Sequence, residues 1–251
     1  MAVHELFRLG MPFACASALP PRLAKLLALL AVAQAARCAH QPRRPHEQAL
    51  ARAGRYLKGA AGKGAVPRPA IGGGLAMGAY ADAAFASGWG CELEANPDSV
   101  KSRTGFILEV AGCPILWASK LQPAIATSAM EAEHAALPVS LRSVIPLLNL
   151  ARNIAKGLGF KGKRSLTFQA TAHEGNQGAL KLANLEGGRN APRSKFYALR
   201  LRWLRPWLRR PLGGASASFT STELQKADML AKSLGPALFR ANRMLSMGWQ
   251  R

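Results

Sequence analysis

Negative charge is scarce in this sequence. Only 13 Asp and Glu stand against 34 Lys and Arg in 251 residues, a formal net charge of +21. Such a surface draws polyanions, whether nucleic acid, anionic membrane or acidic protein. Charged residues of both signs make up only 19% against 49% hydrophobic, a balance that suits a packed globular chain and not a disordered one. The four cysteines, Cys15, Cys38, Cys91 and Cys113, lie far apart with no C-x-x-C pair. The histidines complete no zinc spacing either, so a zinc site is excluded. Reduced thiols then favour a reducing, intracellular compartment. Long apolar runs are also missing. LLALLAVA (26–33) is bounded by Lys25 and Gln34, too short to span a bilayer, so no membrane association is expected. The small residues that follow it give it the look of a signal-peptide core. Leu23, Leu26, Leu27 and Leu30 nevertheless follow i, i+3, i+4, i+7, and an amphipathic helix is the preferred reading over a targeting segment. No internal repeat occurs, and Gly72-Gly73-Gly74 is followed by no nucleotide-binding fingerprint, which leaves it as a turn.

What is present falls into a clear order. Residues 1–22, with Pro12, Pro20 and Pro21, read as a loose leader. Residues 23–58 read as two helices broken around Pro42 to Pro45, and 59–74, rich in Gly and Pro, as a linker. Strands are expected at 75–85, 103–110 and 113–120, the last two joined by a tight turn at Ala111-Gly112. Ser128 and Glu131 form a capping-box pattern that opens a helix. A strand at 165–172, a helix at 176–185 and a short strand at 216–221 follow. A last helix at 222–234 is expected, with Thr222 as its cap and Gly235-Pro236 as its stop. Three strands, then helix, strand, helix, strand, helix imply an α/β fold with a mixed sheet flanked by helices.

Particular words now carry more than pattern. GRYLKG (54–59) resembles the motif that ends the reverse transcriptase of copia-type retrotransposons, and RCAHQPRRPHEQAL (37–50) resembles the helical segment before it. YADAAFAS (80–87) resembles the strand that opens their ribonuclease H domain. KSRTGFILEVAGCPILWASKLQPAIATSAMEAEHAAL (101–137), EGNQGALKLA (174–183) and STELQKADMLAKSL (221–234) are similar to its later motifs, in the same order. The resemblance covers about residues 25–248. It implies a helical tail of reverse transcriptase at 23–60, a linker at 61–74, a ribonuclease H-like domain at 75–236 and a C-terminal tail at 237–251. The polymerase itself is excluded, because the chain before residue 59 is too short for a palm domain and holds no Asp-Asp pair.

The fold so implied is a ribonuclease H-like mixed five-stranded sheet flanked by helices, after a small helical segment. The implied activity is cleavage of RNA in an RNA–DNA hybrid with magnesium or manganese, two ions about 4 Å apart. Such ions prefer oxygen ligands, which calls for carboxylates from separate elements. The resemblance nominates Asp82 on the opening strand, Glu133 as the second acid of E-A-E, and Asp228 in A-D-M-L. Residues 131 and 133 lie on opposite sides of a helix, and the cap employs Glu131, leaving Glu133 to face the sheet. The third acid of the family should precede Asn176, but Gly175 stands there. Glu174 is adjacent, yet a neighbour on a strand end points elsewhere, so it enters only as a secondary substitute ligand that needs a backbone shift. Weakened catalysis follows from that reading, with a non-catalytic nucleic-acid-binding remnant as the alternative. Ala84 for the second Asp of D-A-D, and Pro138 and Pro146 within the Glu133 helix, are further departures. Between Glu186 and Glu223 there is no acid, and Arg193, Lys195, Arg200, Arg202 and Arg205 alternate with aromatics, a pattern suited to phosphates and bases. Phe196 and Arg202 there replace histidines of the family pattern.

Overall fold

A computed structural model of the chain describes residues 24–39, 41–60, 75–89, 97–159, 168–184, 203, 205–208 and 214–247. It divides into two compact units, 1–65 and 66–251. The leader and the Gly/Pro linker at 61–74 lie outside the described residues, as do Arg193, Lys195, Phe196, Arg200 and Arg202.

The described residues of the first unit form a pair of helices, α1 (Ala24–Arg37) and α2 (Arg44–Gly59), packed on each other. Ala28 and Leu30 of α1 are buried. Pro45 falls in the first turn of α2, where its missing N–H costs nothing, so the expected break becomes a helix start. Among the described residues no helix is long and apolar enough to cross a membrane.

The second unit is built on five strands: β1 (Leu75–Ala84), β2 (Arg103–Val110), β3 (Cys113–Leu121), β4 (Phe168–Glu174) and β5 (Ala215–Phe219). Their order is β3-β2-β1-β4-β5, with β1, β4 and β5 parallel and β2 antiparallel to both its neighbours. This is the mixed five-stranded sheet that the sequence implies. The β2–β3 hairpin turns through Ala111 (φ 51°) and Gly112 (φ 79°), both left-handed, as a two-residue turn matched to strand twist demands. Pro114 cannot donate to the ladder; it lies on edge strand β3, where the register shifts against Glu109.

Helix α3 (Ala129–Gly157) lies along one face. The Ser128 hydroxyl accepts the Glu131 N–H at 3.2 Å, while the Glu131 carboxylate accepts from the Thr127 N–H and hydroxyl at 2.7 and 2.8 Å. The cap therefore forms at the expected place, with its return arm one residue earlier than in a capping box. Leu137, Leu141, Val144 and Leu148 pack on Met77, Ala79, Phe106 and Leu108. At the other end Ala132 and Ala136 meet Ala81 and Ala83. Four small side chains let the helix approach β1 closely there, which brings Glu133 within reach of the strand backbone. The helix runs through Pro138 and Pro146 without ending.

Two expectations near the C-terminus are corrected. Residues 222–234 do not form one helix capped by Thr222: turns occupy 222–227, and only Asp228–Ala231 (α5, after α4 at Gln177–Asn184) is helical, with Ala227 at its N-cap. Side chains are taken elsewhere. Gln225 donates to the Ala81 carbonyl at 2.9 Å. Lys226 pairs with Glu109 at 2.6 and 2.7 Å and lies 5.0 Å from the Tyr80 ring, which stacks on His173. These anchors hold the segment flat against the sheet, where a longer helix would lift it off. Nor does Gly235-Pro236 end a helix: Pro236 opens α6 (Pro236–Met247) at the position proline favours, so the stretch expected as a tail carries a helix.

Candidate active site

Strands β1, β4 and β5 run parallel and deliver their C-terminal ends to one edge of the sheet. Asp82 lies near the end of β1, paired with Gly105 of β2. A side chain on Gly105 would strike the Ala231 nitrogen and the Ala227 oxygen at 2.7 and 2.8 Å. Glycine therefore lets the α5 backbone rest on the strand beside Asp82, and this places Asp228. From the other face Glu133 reaches over, accepting the Ala83 N–H at 2.8 Å. Glu174, the last residue of β4, completes the group: its Oε1 accepts the Asn176 N–H at 3.0 Å.

The structure thus brings together Asp82, Glu133, Asp228 and also Glu174, all buried. The expectation that Glu174 points elsewhere is corrected. In β4 burial alternates, with Phe168, Ala170, Ala172 and Glu174 inward, so Glu174 continues the apolar face of its strand. The strand expected at 165–172 runs on to Glu174, and its period-two pattern carries that residue inward. Gly175 follows beyond the strand end, and a Cβ there would meet only the Gln225 amide nitrogen at 3.7 Å. The second residue missed is Lys232. Its ammonium lies 2.8 Å from Asp82 Oδ1 and 3.2 Å from Asp228 Oδ1. Its spacing of four from Asp228 signals that one pair, but nothing local signals the pair with Asp82. Of the expected basic contacts, only Arg205 is among the described residues; the guanidinium of Arg142 on α3 lies 5.3 Å from the Trp203 ring.

Burial opposes the ionisation of Asp82, Glu133 and Glu174. Burial, and then the charges of Glu133 and Asp228, push Asp82 up to about 9 despite Lys232. Burial and the Glu174 charge push Glu133 up to about 8, against Lys232, a hydrogen bond with Asp82 and the Ala83 N–H. Burial raises Glu174 to about 8, opposed by the Asn176 and Gly175 N–H groups and reinforced by Asp82. Burial alone would lower Lys232, but the attraction of Asp82, Asp228 and Glu133 outweighs it and raises the ammonium above its ordinary value. Near neutral pH Asp82, Glu133 and Glu174 therefore hold protons, and an added cation would release them.

The donor set suits a hard divalent cation. All four groups offer carboxylate oxygens, and Asp82 Oδ2 and Glu174 Oε2 are buried without a hydrogen-bond partner. Among the described residues no three His, Cys, Asp or Glu side chains converge on one point at ligand distance. Closing them round an ion requires side-chain adjustment, with the Lys232 ammonium leaving its place between Asp82 and Asp228.

Sheet order, mixed strand direction and flanking helices define an α/β fold with a mixed five-stranded sheet. The chain is similar to the ribonuclease H1 of the halophilic archaeon Halobacterium salinarum, at 18% identity over 62% of this chain and 94% of that one, TM-score 0.37. It is also similar to the N-terminal ribonuclease H domain of a Mycobacterium tuberculosis protein, at 14% identity over 68% of this chain and 97% of that one, TM-score 0.38. Neither a protein-family model nor a curated protein matches the chain.

Proposed function

We propose that this chain is the ribonuclease H-like part of a copia-type retrotransposon polyprotein, with residues 23–60 the tail of its reverse transcriptase, and that its site hydrolyses RNA in an RNA–DNA hybrid. One observation carries the reading: four buried acids from β1, α3, β4 and α5 meet at one edge, with Lys232 as their counter-charge. A fold gains no stability from such a group. Desolvating carboxylates is costly, and one ammonium offsets little of it. A cluster kept at that cost suits cation-assisted hydrolysis.

In this reading Asp82, Glu133, Asp228 and Glu174 hold magnesium or manganese, Glu174 standing in for the acid that the family pattern carries at 175. The ions, when bound, activate the attacking water and stabilise the leaving oxygen. The chain's own groups do the rest. Ala83 N–H orients Glu133, Asn176 N–H orients Glu174, and Gln225 ties the Asp228 segment to β1. Protons held by the free acids depart as cations arrive. The net charge of +21 supplies sequence-independent attraction to phosphates, to which Arg193, Lys195, Arg200, Arg202 and Arg205 contribute. A hybrid is recognised by backbone shape and 2′-hydroxyls, without sequence preference.

A second reading, a nucleic-acid-binding remnant without catalysis, is favoured by the ammonium between Asp82 and Asp228 and by Gly175. A hybrid with labelled RNA, incubated with magnesium or manganese, separates the two. Cleavage by the natural chain that disappears in Asp82→Asn supports the first. Binding without cleavage, restored by Gly175→Asp, establishes the second. If the hybrid is neither cut nor bound, both are wrong.

A further inference from the structure

Lys232 is the residue that the proposed chemistry does not use. It follows the single turn of α5 with extended backbone (φ −120°, ψ 152°), and its stem folds back over that turn. Its ammonium bridges Asp82 Oδ1 and Asp228 Oδ1, at 2.8 and 3.2 Å, and also bears on Glu133 and Glu174. The acids it joins are about 3% exposed, whereas its own side chain is 39% exposed. The ammonium therefore sits at the mouth of the cluster on a flexible stem, and can withdraw into water without backbone movement. It also leaves the job unfinished, for Asp82 Oδ2 and Glu174 Oε2 stay buried without partners.

A divalent ion bridging Asp82 and Asp228 needs the space that this ammonium fills, and two cations side by side repel. We infer that Lys232 is a tethered stand-in cation: it holds Asp82 and Asp228 together in the cation-free chain and must be displaced before a divalent ion enters. The inference rests on reading the four acids as a cation site. Lys232 thereby sets the threshold of cation concentration at which the site assembles. A competent state with the lysine swung out, populated at about one part in ten, weakens apparent affinity tenfold.

Titration of the full chain with manganese, read by the electron paramagnetic resonance of the free ion and without nucleic acid, tests this. Lys232→Met keeps the stem and removes the charge. It should bind manganese roughly tenfold more tightly than the natural chain, with a lower melting temperature before manganese is added and a larger rise afterwards. Equal or weaker affinity in Lys232→Met overturns the inference and leaves the cation site standing. Manganese binding in neither chain, nor in Asp82→Asn, overturns the cation site and the inference with it. Should Lys232→Met fail to fold, the natural chain supplies the answer. Manganese should speed acylation of the Lys232 amine by an N-hydroxysuccinimide ester several-fold, read by peptide mass spectrometry. An unchanged rate overturns the inference.

Discussion

Glu174 has no exposed surface, yet only one of its carboxylate oxygens has a hydrogen-bond donor. A buried acid left half satisfied is costly as a structural element and useful as a ligand. Replacing it with Gln keeps the shape and removes the charge. Glu174→Gln is therefore expected to cut hybrid cleavage by more than about 100-fold, since loss of a direct ligand exceeds the 10–100-fold of outer contacts. Above about pH 8, where Glu174 loses its proton, the same change should raise the melting temperature of the cation-free chain by removing one repelling charge. Gly175 lies beside it with room for a Cβ, 3.7 Å from Gln225, and no strained backbone angle. Adding Gly175→Asp to Glu174→Gln should recover part of the lost rate. No recovery would mean that position 175 does not face the site. Both measurements are single-turnover assays on one labelled hybrid.

Between elements, contacts of small residues decide where the acids stand. A Cβ on Gly105 would meet three backbone atoms of α5 and its N-cap at 2.7 to 2.8 Å, so something must shift. Gly105→Ala should cost about 1–3 kcal/mol, seen in urea unfolding, and should displace Asp228 and lower cleavage together. Helix α3 makes the opposite point. Pro146 lies exposed within it and carries no ligand. Proline removes a hydrogen bond and crowds the preceding turn. Pro146→Ala should thus stabilise the chain, by up to about 3 kcal/mol, with cleavage unchanged. A loss of stability on that change would show that Pro146 is required for α3 to follow the sheet.

For the molecule as a whole, acid chemistry couples the site to folding. Asp82, Glu133 and Glu174 hold their protons up to about 9, 8 and 8 when folded, against ordinary values near 4. A raised folded value means that the native chain binds more protons than the unfolded one. The associated stability is present below about pH 4 and is lost as pH rises through 8 to 9. Lys232, itself raised, stays charged throughout this window and does not reverse the sign. The cation-free chain should therefore melt at progressively lower temperature from pH 5 to pH 8.5, by calorimetry. Magnesium or manganese at pH 8 should restore much of the loss, and Asp82→Asn should flatten the slope. A melting temperature that climbs over this range would remove the coupled acids from the account.

Local chemistry in the sequence was enough to determine the order of strands, the start of α3 at Ser128, the tight turn at Ala111-Gly112, and the sidedness that sends Glu131 to the cap and Glu133 to the sheet. These follow from alternation, helical period and turn preference, which act over a few residues. The C-terminal segment has the local pattern of one long helix, and nothing local reveals that Gln225 and Lys226 are spent on Ala81 and Glu109, over a hundred positions away. The fourth acid was settled in the same way. Alternation along β4 shows which face Glu174 shares, but the register between the parallel strands β1 and β4, set by packing, decided that it lies opposite Ala81 and meets Glu133. Only the assembled sheet could place Lys232 between two of those acids, because electrostatics act through space and the sequence orders its charges along a line.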